Sequence, residues 1–507
     1  MLRLLASFVG VLAALAARPA SAESARPRPN ILVIILDDWG WRDAGAYGAT
    51  WVRTPTFDRI AREGVLFRHA FTSNPKCSPS RASLLTGRHA WQLEQGNVHY
   101  SSFPAKFPVY PDLLERAGYA VGLTGKGWGP GNFSVTGWPH NPAGRAFDGE
   151  KLTPPATGIM PTDYAANFAG FLRTVSPGQP FCFWIGLHEP HRPYQRNSGA
   201  ESGRDPRSVP VPGYLPDNDV VRKDLLDYAL EVEWADAQAG KALALLAAAG
   251  QLENTLVVMT SDNGMPFPRV KGQIVEDDFR LPLAVRWGGI AQPGHTVEAF
   301  VDLRDFAPTF LAAAGVTVPE TMSGQSFLGL LESTATGSAG EQSTMLIGKE
   351  RHDLGRPDDA GYPVRAIRTR EWLYVRNYAP DRWPAGNPET GFPNCDGGPT
   401  KEWVATHRDR FFDLAFGLRP AESLYRIDTD PECLVDRARE PGLAATRAEL
   451  RNAMETQLRA EQDPRLLGSG EIFDTYPWYG SRAHAYDTWL RKQAVKPATS
   501  DEHERKD

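Results

Sequence analysis

The sequence predicts an α/β fold: a large, mostly parallel central sheet sandwiched by helices, with a smaller C-terminal antiparallel sheet subdomain. Three observations carry this expectation. Short apolar runs end abruptly in polar clusters, helical patterns lie between them, and short strand-like segments take over late in the chain. The runs are residues 31–36, closed by Asp37-Asp38; 119–123, closed by Thr124-Gly125-Lys126; 181–187, closed by His188-Glu189-Pro190-His191; and 256–260, closed by Ser261-Asp262-Asn263-Gly264. Continuous apolar runs of this length suit strands buried on both faces.

The helices are read from period and stop signals. Residues 55–63 carry Phe57, Ile60 and Ala61 on one stripe and stop at Gly64. Residues 111–117 stop at Gly118 and lead straight into a strand, and 223–249 carry a long stripe (Leu226, Leu230, Trp234, Leu243, Leu246) before Gly250. In an open α/β sheet, ligands gather at the carboxyl ends of the strands. All four polar clusters sit at such ends, so they converge although they span more than two hundred residues.

From about Thr344, residues 365–368, 372–375 and 423–427 read as strands of the second sheet. The Ser/Thr/Gly-rich piece 333–343 is the expected boundary, giving a larger unit at 23–340 and a smaller one at 341–480. Residues 481–507 read as an extension, ending in a polar, frayed tail at 496–507.

The chain has 507 residues, 41% of them hydrophobic and 23% charged, with a net charge of −6. That composition is a globular one, and it offers no basic footprint for nucleic acid. An anionic ligand therefore needs a local positive pocket. Arg3, the apolar stretch 4–17 and Ala20-Ser21-Ala22 read as a secretory signal at residues 1–22. The expectation is export, to a periplasm or the extracellular space, with no membrane span in the mature chain. Of the four cysteines, Cys182 lies in a core strand, while Cys395 and Cys433 sit late, in loop-like contexts that allow pairing in an oxidising compartment.

The densest chemistry lies in the run Lys76-Cys77-Ser78-Pro79-Ser80-Arg81-Ala82-Ser83-Leu84-Leu85, closed by Thr86-Gly87-Arg88. Ser78 reads as an N-cap, Pro79 as the first helical residue and Gly87 as the C-terminal stop. Cys77 and Arg81, four apart, look towards the same end of that helix. A helix N-terminus beside a guanidinium is an anion site, where a cysteine is either an activated thiol or an inert buried one. Asp37, Asp38, Asp262 and Asn263 offer hard oxygen ligands suited to calcium or magnesium.

The run resembles, position by position, the Cys-x-Pro-Ser-Arg-x-x-x-x-Thr-Gly signature of the type I sulfatases of the alkaline phosphatase superfamily. The resemblance implies that a formylglycine-generating maturation enzyme converts Cys77 to formylglycine, whose hydrate attacks sulfur. It implies Ca2+ held by Asp37, Asp38, Asp262, Asn263 and the residue at 77. Arg81, Lys126, His188 and Lys271 complete the implied catalytic set, with His188 on the leaving group. The family usually carries a histidine two residues after that lysine, as a base for release of sulfate. This chain has Trp128 there, so either another group performs the step or the step is slower; His89 is the nearest histidine in sequence.

His188-Glu189-Pro190-His191-Arg192 and the run from Ser261 to Pro268 are similar to the heparan N-sulfatase branch. Lys349-Glu350-Arg351-His352 with Pro363-Val364-Arg365 resembles that branch's second-domain insertion at the pocket. On this likeness His191, Arg192, Glu350, Arg351 and His352 bind the substrate, with Arg192 or Arg351 on an anionic group. The implied substrate is a sulfated glycan, heparin or heparan sulfate fragments, with the N-sulfate of glucosamine favoured and an O-sulfate as the variant. Two other readings share the motif: a phosphonate or phosphodiester hydrolase, and a catalytically silent sulfated-glycan binder.

Overall fold

The computed structural model describes residues 28–333 and 342–495. The expected signal segment 1–22, most of the expected boundary and the tail 496–507 lie outside the described residues. Nine strands form the main sheet: β1 (Asn30–Leu36), β2 (Val65–Phe71), β3 (Ala120–Gly125), β4 (Arg145–Ala146), β5 (Phe181–Gly186), β6 (Thr255–Ser261), β7 (Arg280–Leu281), β8 (Leu283–Arg286) and β9 (His295–Asp302). Their order is β4-β3-β5-β1-β6-β8-β2-β7, with β9 also paired to β2. The block β4-β3-β5-β1-β6 is parallel throughout, and β8 runs antiparallel between β6 and β2.

Both faces of this sheet are dry. Along β1, Ile31, Val33 and Ile35 join one apolar cluster, while Leu32, Ile34 and Leu36 join the other. That alternation is the period of a strand, and each fully buried aliphatic side chain contributes roughly 1.5–3 kcal/mol. One face is covered by helices α1 (Pro55–Glu63), α4 (Tyr164–Leu172) and α6 (Asp219–Ala248). The other is covered by α2 (Cys77–Thr86), α3 (Tyr110–Arg116) and α8 (Phe306–Ala313). Two short helices, α5 (Ser198–Glu201) and α7 (Glu276–Phe279), lie in the connections.

The second sheet is antiparallel, β10 (Met345–Lys349), β11 (Val364–Arg368), β12 (Trp372–Asn377) and β13 (Glu422–Arg426), in sequential order. It contains the three strands read from sequence and adds β10. A buried ionic cluster locks it in place. Arg365 on β11 makes two 2.8 Å bonds to Asp463 and one of 2.9 Å to Glu350, which also takes Arg465 at 2.7 Å.

The four cysteines are free thiols. The expected Cys395–Cys433 pair is not made, because each sulfur is enclosed by a different apolar cluster: Cys395 with Phe392 and Phe416, Cys433 with Phe71 and Ile274. Among the described residues, no helix is long and apolar enough to cross a membrane.

Removing Arg365 leaves the wholly buried Asp463 carboxylate without its cation and leaves Glu350 with Arg465 alone. Arg365→Ala is therefore expected to cost about 3–5 kcal/mol of stability, the usual size for breaking a buried pair. Chemical denaturation followed by fluorescence measures this, and a loss below about 1 kcal/mol, the range of a surface pair, contradicts it.

Candidate active site

The site is built on the carboxyl ends of β1 and β6 and on the first turn of α2. Successive strand residues point to opposite faces, so Asp37 and Asp38 would normally diverge. Asp38 instead takes a left-handed conformation with φ 73°, uncommon for a residue with a side chain. Its N–H then donates to Asp262 Oδ1 at 3.1 Å, and its carboxylate accepts from Asn263 Nδ2 at 2.7 Å. One oxygen from each of Asp37, Asp38 and Asp262 lies within 4.8 Å of the others.

Helix α2 begins two residues earlier than the sequence suggests. Lys76 is the extended cap residue and Cys77 the first helical residue, so Ser78 is inside the helix and not its N-cap. Pro79 is still tolerated, because the first-turn positions have no intrahelical acceptor to bond. Gly87 closes the helix at φ 65°, as expected. All ten residues of α2 are buried, which places Cys77 Sγ 3.4 Å from Asp37 Oδ1. Burial and the neighbouring Asp37 push the thiol well above its ordinary range. Lys126 and Lys271 oppose that rise without cancelling it, so the activated-thiol alternative finds no support.

Three cations match the three carboxylates. Arg81 Nε donates to Asp262 Oδ2 at 2.8 Å and its NH1 to the Lys126 carbonyl at 2.7 Å. Lys126 pairs with Asp37, and Lys271 bonds Asp38 at 2.7 Å and Asp396 at 2.9 Å. Burial raises the Asp37 carboxyl, but Lys126, His191, Arg81 and Lys271 outweigh it and hold it well below the carboxylate range. Burial likewise opposes the charge on Lys126, yet Asp37 holds that ammonium up, at about 12. His188 is pushed down to about 4 by burial and by Lys126, so its imidazole is neutral at neutral pH.

A cation fits this donor set. The ligand atoms are hard oxygens, and Asn263 Oδ1 is buried with no hydrogen-bond partner while both protons of its amide are used. An acceptor left in that state points to a metal or comparable donor beside it. Asp37, Asp38, Asp262 and Asn263 are thus the residues that would hold it.

A cavity of about 610 Å³ opens beside this cluster, lined by Asp37, Cys77, Lys126, His188, His191 and Lys271 among others. His191 Nδ1 lies 2.6 Å from the Arg192 carbonyl, so that nitrogen carries the proton. A ring nitrogen of His191 is within 4.8 Å of both Cys77 Sγ and an Asp37 oxygen. Trp128 is not a bystander: its indole N–H donates to the Ser78 carbonyl at 3.1 Å and its ring stacks on Phe103. His89 is elsewhere, stacked on Trp91 and facing Glu461.

The structure sets the expected substrate residues of the second sheet apart from the cavity lining. Glu350 is consumed by Arg365 and Arg465, and His352 is wholly buried. Arg351 donates to the carbonyls of Asp474 and Tyr476. None of the three lines the cavity; Asp353, one residue further along, does. Arg192 does line it, but its guanidinium is spent on a two-pronged bond to Asp224 at 2.8 and 2.9 Å. Sequence reasoning also missed Asp396, Tyr100, Trp478 and Arg482, which line the cavity from connections that carry no motif.

Comparison with known proteins agrees with this arrangement. Residues 29–316, more than half of the chain, match the family model described as Sulfatase. Human N-sulphoglucosamine sulphohydrolase is 32% identical over 396 residues, covering 70% of this chain and 74% of that protein. A solved complex with its substrate D-glucosamine-2-N,6-O-disulfate superposes with a TM-score of 0.65 at 20% identity, over 86% of this chain and 98% of that one. Phosphonate monoester hydrolase from Silicibacter pomeroyi superposes at 0.64 and 18% identity, over 86% and 96%, so the fold alone does not choose the reaction. The family match and the human relative do: this chain belongs to the sulfatase family, hydrolases of sulfate esters and sulfamates.

Proposed function

We propose that the protein is an exported, calcium-dependent sulfatase acting on sulfated glycosaminoglycan fragments, with the N-sulfate of glucosamine as its favoured group. The supporting observation is the seat of Cys77. It is the first residue of a wholly buried helix, its side chain against Asp37 and among the cations Arg81, Lys126 and Lys271. The 32% identity to the human sulphohydrolase supports the substrate class. A formylglycine at position 77 would supply the hydrated aldehyde that attacks sulfur; a divalent cation would polarise that group and the sulfuryl oxygens.

The chain's own residues do the rest. The inner cluster sets four carboxylates, Asp37, Asp38, Asp262 and Asp396, against the three cations Arg81, Lys126 and Lys271, so a divalent ion turns a small negative excess positive and makes it a seat for an anion. Lys126 and Lys271 are held by their carboxylates on the cavity wall, where their N–H bonds reach charge developing on sulfuryl oxygens. His188, neutral at rest beside Lys126, is proposed to stand at the leaving atom, to take up a proton from solvent when the negative charge of the substrate raises its basicity, and to pass that proton to the leaving atom. His191, its Nδ1 bonded to the Arg192 carbonyl, turns Nε2 towards Asp38 Oδ2 at 3.8 Å, beside position 77. Arg81 orients the cluster from behind and is not free to follow the substrate.

A panel of defined heparin disaccharides, assayed for released sulfate, tests this reading. N-sulfated glucosamine is expected to lose sulfate; an intact N-sulfate beside a removed O-sulfate would refute the favoured site. Comparing an aryl sulfate with an aryl phosphodiester separates the superfamily alternatives, and a preference for the diester would overturn the sulfatase assignment.

Lys126→Ala is expected to lower kcat about 10²–10³-fold, the usual effect of deleting one preorganised donor, and its peptide mass at residue 77 should match the parent protein. An unconverted cysteine at 77 in the parent protein, made with a competent maturation system, would leave only the silent-binder reading.

A further inference from the structure

Five lysine and arginine side chains line the cavity: Lys76, Lys126, Arg192, Lys271 and Arg482. Four are already ion-paired. Lys76 bonds Asp353 at 2.7 Å, Lys126 bonds Asp37, Arg192 grips Asp224, and Lys271 sits between Asp38 and Asp396. Arg482, among the described residues, has no acidic partner and is exposed. It is the cation on the cavity wall whose charge is uncommitted.

Arg482 is also held in place. The segment that carries it crosses the cavity mouth and is pinned on both sides. Upstream, Arg351 takes the Asp474 and Tyr476 carbonyls, Ser101 Oγ donates to the Pro477 carbonyl at 2.6 Å, and Tyr479 N–H donates to the Tyr100 carbonyl at 2.7 Å. Downstream, His484 N–H donates to Asp359 Oδ2 at 2.7 Å. Gly480 makes the crossing possible: a Cβ there would lie 2.7 Å from Trp478 Nε1 and 2.9 Å from the Tyr100 ring. The two rings, with centroids 5.1 Å apart, both face the cavity lining, and Trp478 Nε1 is buried without a partner. Two aromatic rings beside a guanidinium with no acidic partner are the chemistry that holds an anionic sugar.

We propose that Arg482, with Trp478 and Tyr100, forms an outer subsite that binds an anionic group of the saccharide other than the sulfate being removed. The shared chemistry is a carboxylate or a second sulfate in forked contact with the guanidinium. The inference deepens the sulfatase reading above and rests on it for turnover. It also replaces Arg192 and Arg351 in the anion-binding role: the first is spent, and the second positions the strap.

The test is a specificity ratio. For Arg482→Ala, kcat/KM on an anionic saccharide, divided by kcat/KM on a simple aryl sulfate, is expected to fall about tenfold through KM, the size of one lost charged contact. Arg482→Lys should recover part of it, since it keeps the charge and loses the fork. Two substrates distinguish the sources. A fall with a uronate-bearing disaccharide assigns the carboxylate; a fall with 6-O-sulfated N-sulfoglucosamine assigns the second sulfate. An unchanged ratio with both overturns the proposal.

Should the parent protein release no sulfate from any substrate, the functional reading fails while the subsite stays testable. Calorimetric binding of the same two saccharides to Cys77→Ala, with and without Arg482→Ala, then reports it. Equal affinities in the two backgrounds would overturn it; about tenfold weaker binding without the guanidinium would uphold it.

Discussion

Arg81 is the tie on which the site depends. Its guanidinium is fully buried, as is the Asp262 carboxylate it meets at 2.8 Å, and it also takes the carbonyls of Lys126 and Gly127. Through one side chain, the first turn of α2 is fastened to the end of β6 and to the segment leaving β3. Asp262 pays the cost in its own ionisation: burial raises its carboxyl to about 6 in spite of Arg81. A lone guanidinium or carboxylate would be untenable there, and breaking such a pair costs about 3–5 kcal/mol. Ser80 adds a second clamp, its hydroxyl donating to the Asp262 carbonyl at 2.6 Å. The position of Cys77 is thus an outcome of these bonds.

Much of the fold was legible because the sheet is buried on both faces. Runs such as 31–36 and 256–260 have no solvent side to break the apolar pattern, and they emerge within a residue of β1 and β6. The helix read at 55–63 matches α1 because Pro55 and Gly64 mark both ends. Strand β10 was not read: its Met345–Lys349 run ends in a buried lysine whose ammonium bonds the Gly272 and Pro384 carbonyls. A charged residue there looks like surface until those carbonyls are in place. The Ser78 cap failed for a related reason. Serine at that position is an ordinary N-cap letter, but the packing of α2 against the strand ends draws Cys77 into the helix.

The site divides along the same line. Residues at strand ends and on α2 were legible, because the topology alone brings them together. The residues around them were not. Glu350, Arg351 and His352 carry the right chemistry for a sugar, but Glu350 is held by Arg365 and Arg465, Arg351 by two main-chain carbonyls, and His352 is wholly buried. Asp396 and Arg482 arrive on connections whose path depends on tertiary contacts. Arg351 links the two groups: its hydrogen bonds to 474 and 476 hold the strap that carries Trp478 and Arg482.

Trp128 shows what a substitution in a buried site can conserve. A histidine two residues after Lys126 would place a second imidazole near the first turn of α2. The indole instead spends its single N–H on the Ser78 carbonyl and packs on Phe103, itself stacked on Trp138. It therefore supports the helix that carries Cys77 and contributes no titratable group, which leaves His99, His188 and His191 as the imidazoles lining the cavity among the described residues. Of these, His191 has its tautomer set by a main-chain carbonyl and lies within reach of position 77. His99 is drawn instead to Asp353, the same carboxylate that holds Lys76. The cavity thus separates its charges by depth. The inner cations are each held by a carboxylate, so they respond to the reacting sulfate as fixed dipoles more than as free ions. The free charge is kept at the mouth, where it can sort one saccharide from another without disturbing the chemistry beneath.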